Sequence, residues 1–122
     1  SPSRTIAGLR SFPEKVILIA GGYDKHIPYD VLGPEVCAHV KKLFLGGATG
    51  PKIRAAVESA PEYAPGRPEI MACRDFTEAT LAAAKAAEPG DVVLMSPASA
   101  AFDQFRNFMV RGEYYKKLIK VL

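Results

Sequence analysis

The chain has few of the residues that mark specialised protein classes. Its 122 residues include no tryptophan and two cysteines, Cys37 and Cys73. The cysteines form no C-x-x-C pair, and His39 lies too close to Cys37 for a zinc-finger spacing. We therefore expect both cysteines to be buried thiols in a reduced cytoplasmic protein. No apolar run approaches the ~20 residues that a membrane-spanning helix needs, which argues against a membrane protein.

An excess of one charge is also missing. Sixteen lysines and arginines stand against thirteen aspartates and glutamates, and the net charge of +3 is spread along the chain. Such a weak basic balance does not indicate nucleic-acid binding. Hydrophobic residues make up 48% of the chain, which is typical of a globular protein and excludes disorder. The length fits one domain, residues 1–122, since domains usually have ~100–150 residues.

The start of the chain is unusual. Ser1-Pro2-Ser3 contains no initiator methionine, and no signal peptide follows it. We expect a chain that has been processed or cut from something longer.

Helical and extended patterns alternate along the chain. Continuous apolar runs predict buried strands at 16–20, 40–45 and 91–95, and the weaker stretch at 69–72 is a candidate edge strand. Apolar spacing predicts helices at 5–12, 29–39 (interrupted at Gly33-Pro34), 51–60, 77–87 and 103–122, and three prolines predict a surface loop at 60–68. This alternation predicts an α/β fold, a Rossmann-like three-layer sandwich with a mainly parallel sheet and helices on both faces.

Right-handed crossovers place the ends of three predicted strands along one edge of that sheet. The ends are Gly21-Gly22, Gly46-Gly47 and Ser96-Pro97. Open α/β folds bind ligands at this edge, so the loops at 21–28, 46–51 and 96–102 are the candidate site.

The second loop resembles a phosphate-binding loop but does not have its spacing. In Gly46-Gly47-Ala48-Thr49-Gly50-Pro51-Lys52, Pro51 replaces a required glycine and Ile53 the required hydroxyl of a Walker A motif. Two interpretations remain. Free N–H groups at the start of a helix could hold an anion, or the loop is a tight turn that lets strand and helix pack closely; we favour the turn.

The first loop carries a cation. Lys25 follows the glycine pair, where its ammonium can meet a carboxylate or phosphate, and Asp24 could hold it in place. A solvated lysine in a polar loop is the alternative. His26 has no visible partner, and we assign it no role.

The third loop offers hydroxyls but no nucleophile motif. Ser96 and Ser99 lack a G-x-S-x-G elbow and a Ser-His-Asp order. Phe102, Phe105 and Phe108 are at helical spacing, which favours packing in the core.

These residues nevertheless form a long, specific pattern. The stretch 90–108, Gly-Asp-Val-Val-Leu-Met-Ser-Pro-Ala-Ser-Ala-Ala-Phe-Asp-Gln-Phe-Arg-Asn-Phe, is followed by Arg111-Gly112. It resembles the C-terminal signature of the Mur ligases, closest to the members that add D-glutamate. Ile19 to Lys25 is similar to the family's strand-Gly-Gly loop with its lysine, and Ser1 to Ala7 resembles the residues after the linker that joins the central ATPase domain to the C-terminal domain.

The resemblance implies a function. Residues 1–122 would be the amino-acid-binding C-terminal domain of an ATP-dependent ligase of the bacterial cytoplasm. That ligase would join D-glutamate to UDP-N-acetylmuramoyl-L-alanine through an acyl-phosphate, as a step of peptidoglycan precursor synthesis. ATP and Mg²⁺ would be bound mainly by the central domain, and this chain alone would be inactive.

The resemblance also implies a site. Lys25 matches the family's ligand of a D-glutamate carboxylate, and Phe102 and Phe108 match positions that line the pocket. Ala101 stands where the family often has a serine, so a backbone N–H of Ala101 or Phe102 would replace that hydroxyl. Asp24 and Ser96 are possible supports. Two alternatives remain: a ligase of the same family with another amino acid, and a free-standing module that binds an anion or nucleotide.

Overall fold

The chain folds into alternating helices and strands. The computed structural model describes residues 2–22, 28–97, 109–111 and 116–121, the last two ranges by their backbone. The helices there are α1 (Pro2–Arg10), α2 (Leu32–His39), α3 (Gly50–Glu58) and α4 (Phe76–Ala86). The strands are β1 (Val16–Gly21), β2 (Val40–Gly46), β3 (Glu69–Cys73), β4 (Val92–Pro97), β5 (Met109–Arg111) and β6 (Lys116–Val121).

The strands form one sheet in the order β3-β2-β1-β4-β6-β5. Neighbours from β3 to β6 are parallel, and β5 alone pairs antiparallel, with β6. The α/β class, the mainly parallel sheet and the four predicted strands are therefore confirmed. No helix in the described part of the chain is long and apolar enough to cross a membrane.

Helices cover both faces of the sheet because the central strands are apolar on both sides. All six residues of β1 are buried. Its alternate side chains point to opposite faces: Leu18 belongs to a core cluster with Leu9 of α1, and Ile19 to a second cluster with Phe76 of α4. α1, α2 and α3 thus cover one face and α4 the other, which confirms the predicted three layers.

α4 and α2 begin with a capping aspartate and with a proline in the first turn, respectively. Asp75 caps α4, since its carboxylate accepts a hydrogen bond of 2.8 Å from the N–H of Glu78. α2 begins only at Leu32, later than predicted. Pro34 does not interrupt it, because proline in the first turn removes an N–H that has no partner within the helix.

The predicted helix at 103–122 is wrong over the described residues. Residues 109–111 and 116–121 are strands, and β6 continues the parallel sheet by pairing Val92 with Leu118 and Met95 with Val121. Helical spacing is a weak local preference, and a neighbouring strand that offers backbone partners outweighs it. Gly112, between the two strands, would also weaken a continuous helix.

One prediction about the cysteines also needs correction. Both are free thiols and Cys37 is buried, as expected, but Cys73 is only half-buried. Cys73 ends β3, the outer strand of the sheet, where one side has no neighbouring strand to cover it.

Candidate functional site

The carboxyl ends of four neighbouring strands meet at one edge of the sheet. Gly21 of β1 pairs in register with Gly46 of β2 on one side and Pro97 of β4 on the other. Gly46 in turn pairs with Cys73 of β3. The sequence-based prediction that Gly21-Gly22, Gly46-Gly47 and Ser96-Pro97 share an edge is therefore confirmed.

Glycines bring the first two loops into direct backbone contact. The N–H of Gly22 donates to the carbonyl of Gly46 over 2.9 Å, and the N–H of Thr49 donates to the carbonyl of Gly22 over 3.3 Å. A Cβ on Gly21 would lie 1.7 Å from the Gly46 oxygen, and Gly21 has a φ of +138°. Only glycine therefore fits at position 21. This close approach lets backbone hydrogen bonds join the two loops directly.

The contact decides between the two interpretations of the loop at 46–52. The N–H groups of Thr49 and Gly50 are already bonded, to Gly22 and to Gly47. Gly47 has a φ of +88°, and a Cβ there would lie 3.0 Å from Gly22. The loop is therefore a tight turn that packs strand against helix, and its geometry does not favour the anion site.

Thr49 sits at the start of α3 without capping it. Its side chain makes no capping hydrogen bond, and within the described residues its hydroxyl oxygen is buried with no partner. A buried hydroxyl of this kind costs free energy, because it has given up hydrogen bonds to water. The sequence showed a threonine in a loop but not its burial.

The end of β4 is joined to α1 by a hydrogen bond between side chains. The hydroxyls of Thr5 in α1 and Ser96 in β4 form a hydrogen bond in which either can donate. Thr5 is 2% exposed, and Ser96 is half-buried. Sequence reasoning missed Thr5, although it lies one helical turn before the buried Leu9; that i, i+4 spacing was the available signal.

Of the predicted site residues, Ser96 is the one that the structure describes. It follows Leu94 on the face that α1, α2 and α3 cover, and it pairs in register with Ala20, directly before the glycine pair. The other predictions lie outside the described residues and remain predictions: Asp24, Lys25, Ala101, Phe102 and Phe108.

Two hollows flank this edge in the described part of the chain. A cavity of about 300 Å³ lies between the ends of β2 and β3, with Gly47, Gly50, Arg54 and Cys73 in its wall. A wider groove of about 710 Å³ begins at Pro28, Tyr29 and Asp30 and runs along α3 to Pro61. Of the described residues, Pro28 in the groove belongs to the predicted loop at 21–28, and Gly47 and Gly50 in the cavity belong to the predicted loop at 46–51.

The cysteine thiols are not prepared for nucleophilic chemistry. Burial raises the pKa of Cys37 most, and nearby Glu62 raises it further. Burial also raises the pKa of Cys73, with additional contributions from Glu78 and Asp75. Both sulfurs are therefore neutral near pH 7, whereas reactive cysteines have a lowered pKa.

The described residues do not fit ATP with its metal ion. They contain no group of three or more His, Cys, Asp or Glu side chains that could hold a metal. Gly46 to Lys52 departs from the phosphate-loop spacing, and its turn uses its own N–H groups.

Comparison with known proteins gives one consistent result. The chain is 50% identical over 121 residues to the UDP-N-acetylmuramoylalanine–D-glutamate ligase of Acetivibrio thermocellus, covering 98% of this chain and 26% of that protein. It is 44% identical over 122 residues to the ligase of that name from Clostridium beijerinckii (100% and 27%) and 45% identical over 122 residues to that from Symbiobacterium thermophilum (100% and 26%).

The chain thus spans about a quarter of the length of the curated relatives that it matches. No protein-family model matches it. No solved structure matches it either. Identity of 44–50% along essentially the whole chain nevertheless establishes common descent, and it agrees with the resemblance of residues 90–108 to the Mur ligases. Along essentially its whole length, the chain is homologous to about a quarter of each of the UDP-N-acetylmuramoylalanine–D-glutamate ligases that it matches.

Proposed function

We propose that this chain is the C-terminal domain of a peptidoglycan-precursor ligase and binds the D-glutamate that the ligase joins to UDP-N-acetylmuramoylalanine. The observation that carries the proposal is the similarity at 44–50% identity to ligases of that name, along essentially the whole chain. The fold supports it, because the carboxyl ends of β1, β2 and β4 form a ligand-binding edge of the kind that open α/β sheets use.

The proposed site lies where two loops leave this edge. Lys25 follows the glycine pair after β1 and would hold one carboxylate of D-glutamate. Backbone N–H groups at Ala101 and Phe102 would hold the other, and Phe102 and Phe108 would enclose the carbon chain. β1 and β4 are adjacent and in register, so both loops start from neighbouring positions.

Within the ligase, the work of this chain is binding and orientation. Holding both carboxylates would present the amine of D-glutamate to the activated carboxyl group of the nucleotide precursor, and positioning alone removes much of the cost of a bimolecular reaction. The precursor, ATP and Mg²⁺ would be bound by parts of the ligase other than this chain, in the cytoplasm.

A hybrid ligase tests the proposal. The matching segment of the Acetivibrio thermocellus ligase is replaced by this chain, and phosphate release is measured with D-glutamate, L-glutamate, D-aspartate and other amino acids. We expect activity with D-glutamate, and the unmodified ligase is the control for the assay. A preference for another amino acid would show a related ligase with a different substrate.

The chain by itself provides a second arm. Titration with D-glutamate, followed by amide chemical shifts, should move signals only at high concentration, because the rest of the ligase completes the site. The largest shifts should come from Lys25, Ala101 and Phe102. Shifts caused by nucleotides and not by D-glutamate would instead support a free-standing nucleotide-binding module.

A further inference from the structure

We infer that Thr5 is a positioning residue for the proposed D-glutamate site and acts through Ser96. This inference rests on the proposed function. Its structural basis is the hydrogen bond between the two hydroxyls, which joins the first helix to the last residues of β4 at the ligand-binding edge.

The bond sits at the boundary between core and edge. Val92 and Leu94 of β4 point into the core cluster that contains Leu9 of α1. Ser96 is the next residue on that face of the strand, and Thr5 is the residue one turn before Leu9 on the same face of the helix. At the level where the loops begin, the contact between α1 and β4 therefore changes from apolar packing to the hydrogen bond between Thr5 and Ser96.

Stability alone does not require this hydroxyl pair. A buried pair of polar groups can often be replaced by apolar groups of the same shape with little change in the free energy of unfolding. A hydrogen bond differs from an apolar contact in being directional, so it defines the angle at which Ser96 is held.

The orientation of Ser96 matters because this residue lies where the two loops of the proposed site begin. Ser96 pairs in register with Ala20, directly before Gly21-Gly22 and the loop that carries Lys25. In the sequence it is also followed, after Pro97, by the stretch that contains Ala101 and Phe102. A shift of Ser96 would therefore move the starting points of both groups that are proposed to hold the D-glutamate carboxylates.

The test uses the hybrid ligase with Thr5→Val, which removes the hydroxyl and keeps the shape of the side chain. We expect the KM for D-glutamate to rise roughly three- to tenfold, the effect of losing one hydrogen bond, with kcat changed by less than about twofold. Thr5→Ser keeps the hydroxyl and should restore the KM of the parent even though it loses a methyl group.

A double-mutant cycle separates positioning from packing. If Thr5 acts through Ser96, Thr5→Val should have no further effect on KM in a Ser96→Ala background. Additive effects, an unchanged KM in Thr5→Val, or a Thr5→Ser variant as impaired as Thr5→Val would each overturn the inference.

Two controls keep the outcomes distinct. Thr80→Val also deletes a threonine hydroxyl, one that donates to the carbonyl of Phe76 over 2.8 Å within α4, and it should leave KM unchanged. Thermal unfolding of the 122-residue chain with Thr5→Val and with both changes should show folded proteins. If Thr5→Val alone is unfolded at the assay temperature, its rise in KM reflects an unpaired Ser96 hydroxyl that destabilises the chain, which contradicts the inference. If the parent hybrid does not use D-glutamate at all, the proposed function fails instead.

Discussion

The ammonium nitrogen of Lys41 lies 2.5 Å from Oδ1 of Asp91, across the end of the sheet opposite the candidate site. Lys41 is near the start of β2 and Asp91 directly precedes β4, so the ion pair spans the strand between them, β1. The other carboxylate oxygen of Asp91 accepts a hydrogen bond of 2.8 Å from the N–H of Glu88. This one side chain thus ties the turn before β4 to the sheet.

The ion pair makes stability depend on pH. Partial burial would raise the pKa of Asp91, but the hydrogen bonds from Lys41 and Glu88 and the charges of Lys41 and Lys42 together lower it below its usual 3.8. A lowered pKa means that the stabilisation is complete above the pKa of the unfolded chain and is lost as pH falls through the folded value. We expect Asp91→Asn to destabilise the chain by roughly 1 kcal/mol at pH 7, and by progressively less as the pH falls below the usual carboxyl pKa of 3.8.

Urea unfolding of the chain and of Asp91→Asn at pH 7, 5 and 3 measures this difference. Glu58→Gln is a suitable control, because Glu58 forms an ion pair on the surface of α3 with both side chains at least 40% exposed. A constant difference between Asp91→Asn and the parent across this range would contradict the prediction.

Gly33 allows two helices to pack closely. A Cβ at this position of α2 would lie 2.3 Å from the carbonyl oxygen of Ala56 in α3, and backbone cannot rotate out of the way. Gly33→Ala should lower the free energy of unfolding by roughly 1–3 kcal/mol, the usual cost of overpacking. Gly50→Ala is the matched control, since its Cβ would lie 3.5 Å from the Cβ of Leu45 and should be tolerated. Equal unfolding midpoints for the two variants would show that the helices can separate without cost.

Thr49 carries a hydroxyl that the described part of the chain leaves buried and unbonded. Thr49→Val keeps the shape and removes the unsatisfied group, so we expect a gain of about 1 kcal/mol and a higher midpoint of thermal unfolding. Thr80→Val, which deletes a bonded hydroxyl, should not raise the midpoint. A lower midpoint for Thr49→Val would mean that the hydroxyl contributes to stability.

Lys25 is the proposed anchor of a D-glutamate carboxylate. In the hybrid ligase, Lys25→Ala should raise the KM for D-glutamate roughly ten- to hundredfold, because a charge-assisted hydrogen bond contributes roughly 1.5–3 kcal/mol. Lys85→Ala removes an exposed lysine of α4 and should leave the KM unchanged. An unaltered KM in Lys25→Ala would remove this residue from the site.

The local sequence was sufficient to predict most of the fold. Val16 to Ala20 and Val92 to Met95 are continuous apolar runs, and strands buried on both faces have that composition wherever they occur. The glycine pairs at 21–22 and 46–47 then marked where β1 and β2 end. Because parallel strands joined by right-handed crossovers end at the same edge, it could also be predicted that these strand ends lie together.

The tertiary structure decided what depends on distant partners. The backbone of 116–121 forms a strand because β4 lies beside it, and no local spacing reveals that neighbour. The bond between Thr5 and Ser96 joins residues 91 positions apart. Likewise, Gly46 to Lys52 is compatible with an anion site as a sequence, and only the folded chain shows the bond from Gly50 to Gly47 that closes a turn and the bond from Thr49 to Gly22 that packs it against the first loop. Apolar runs and glycines act through local preference, whereas pairing and polar contacts exist only once the chain has folded.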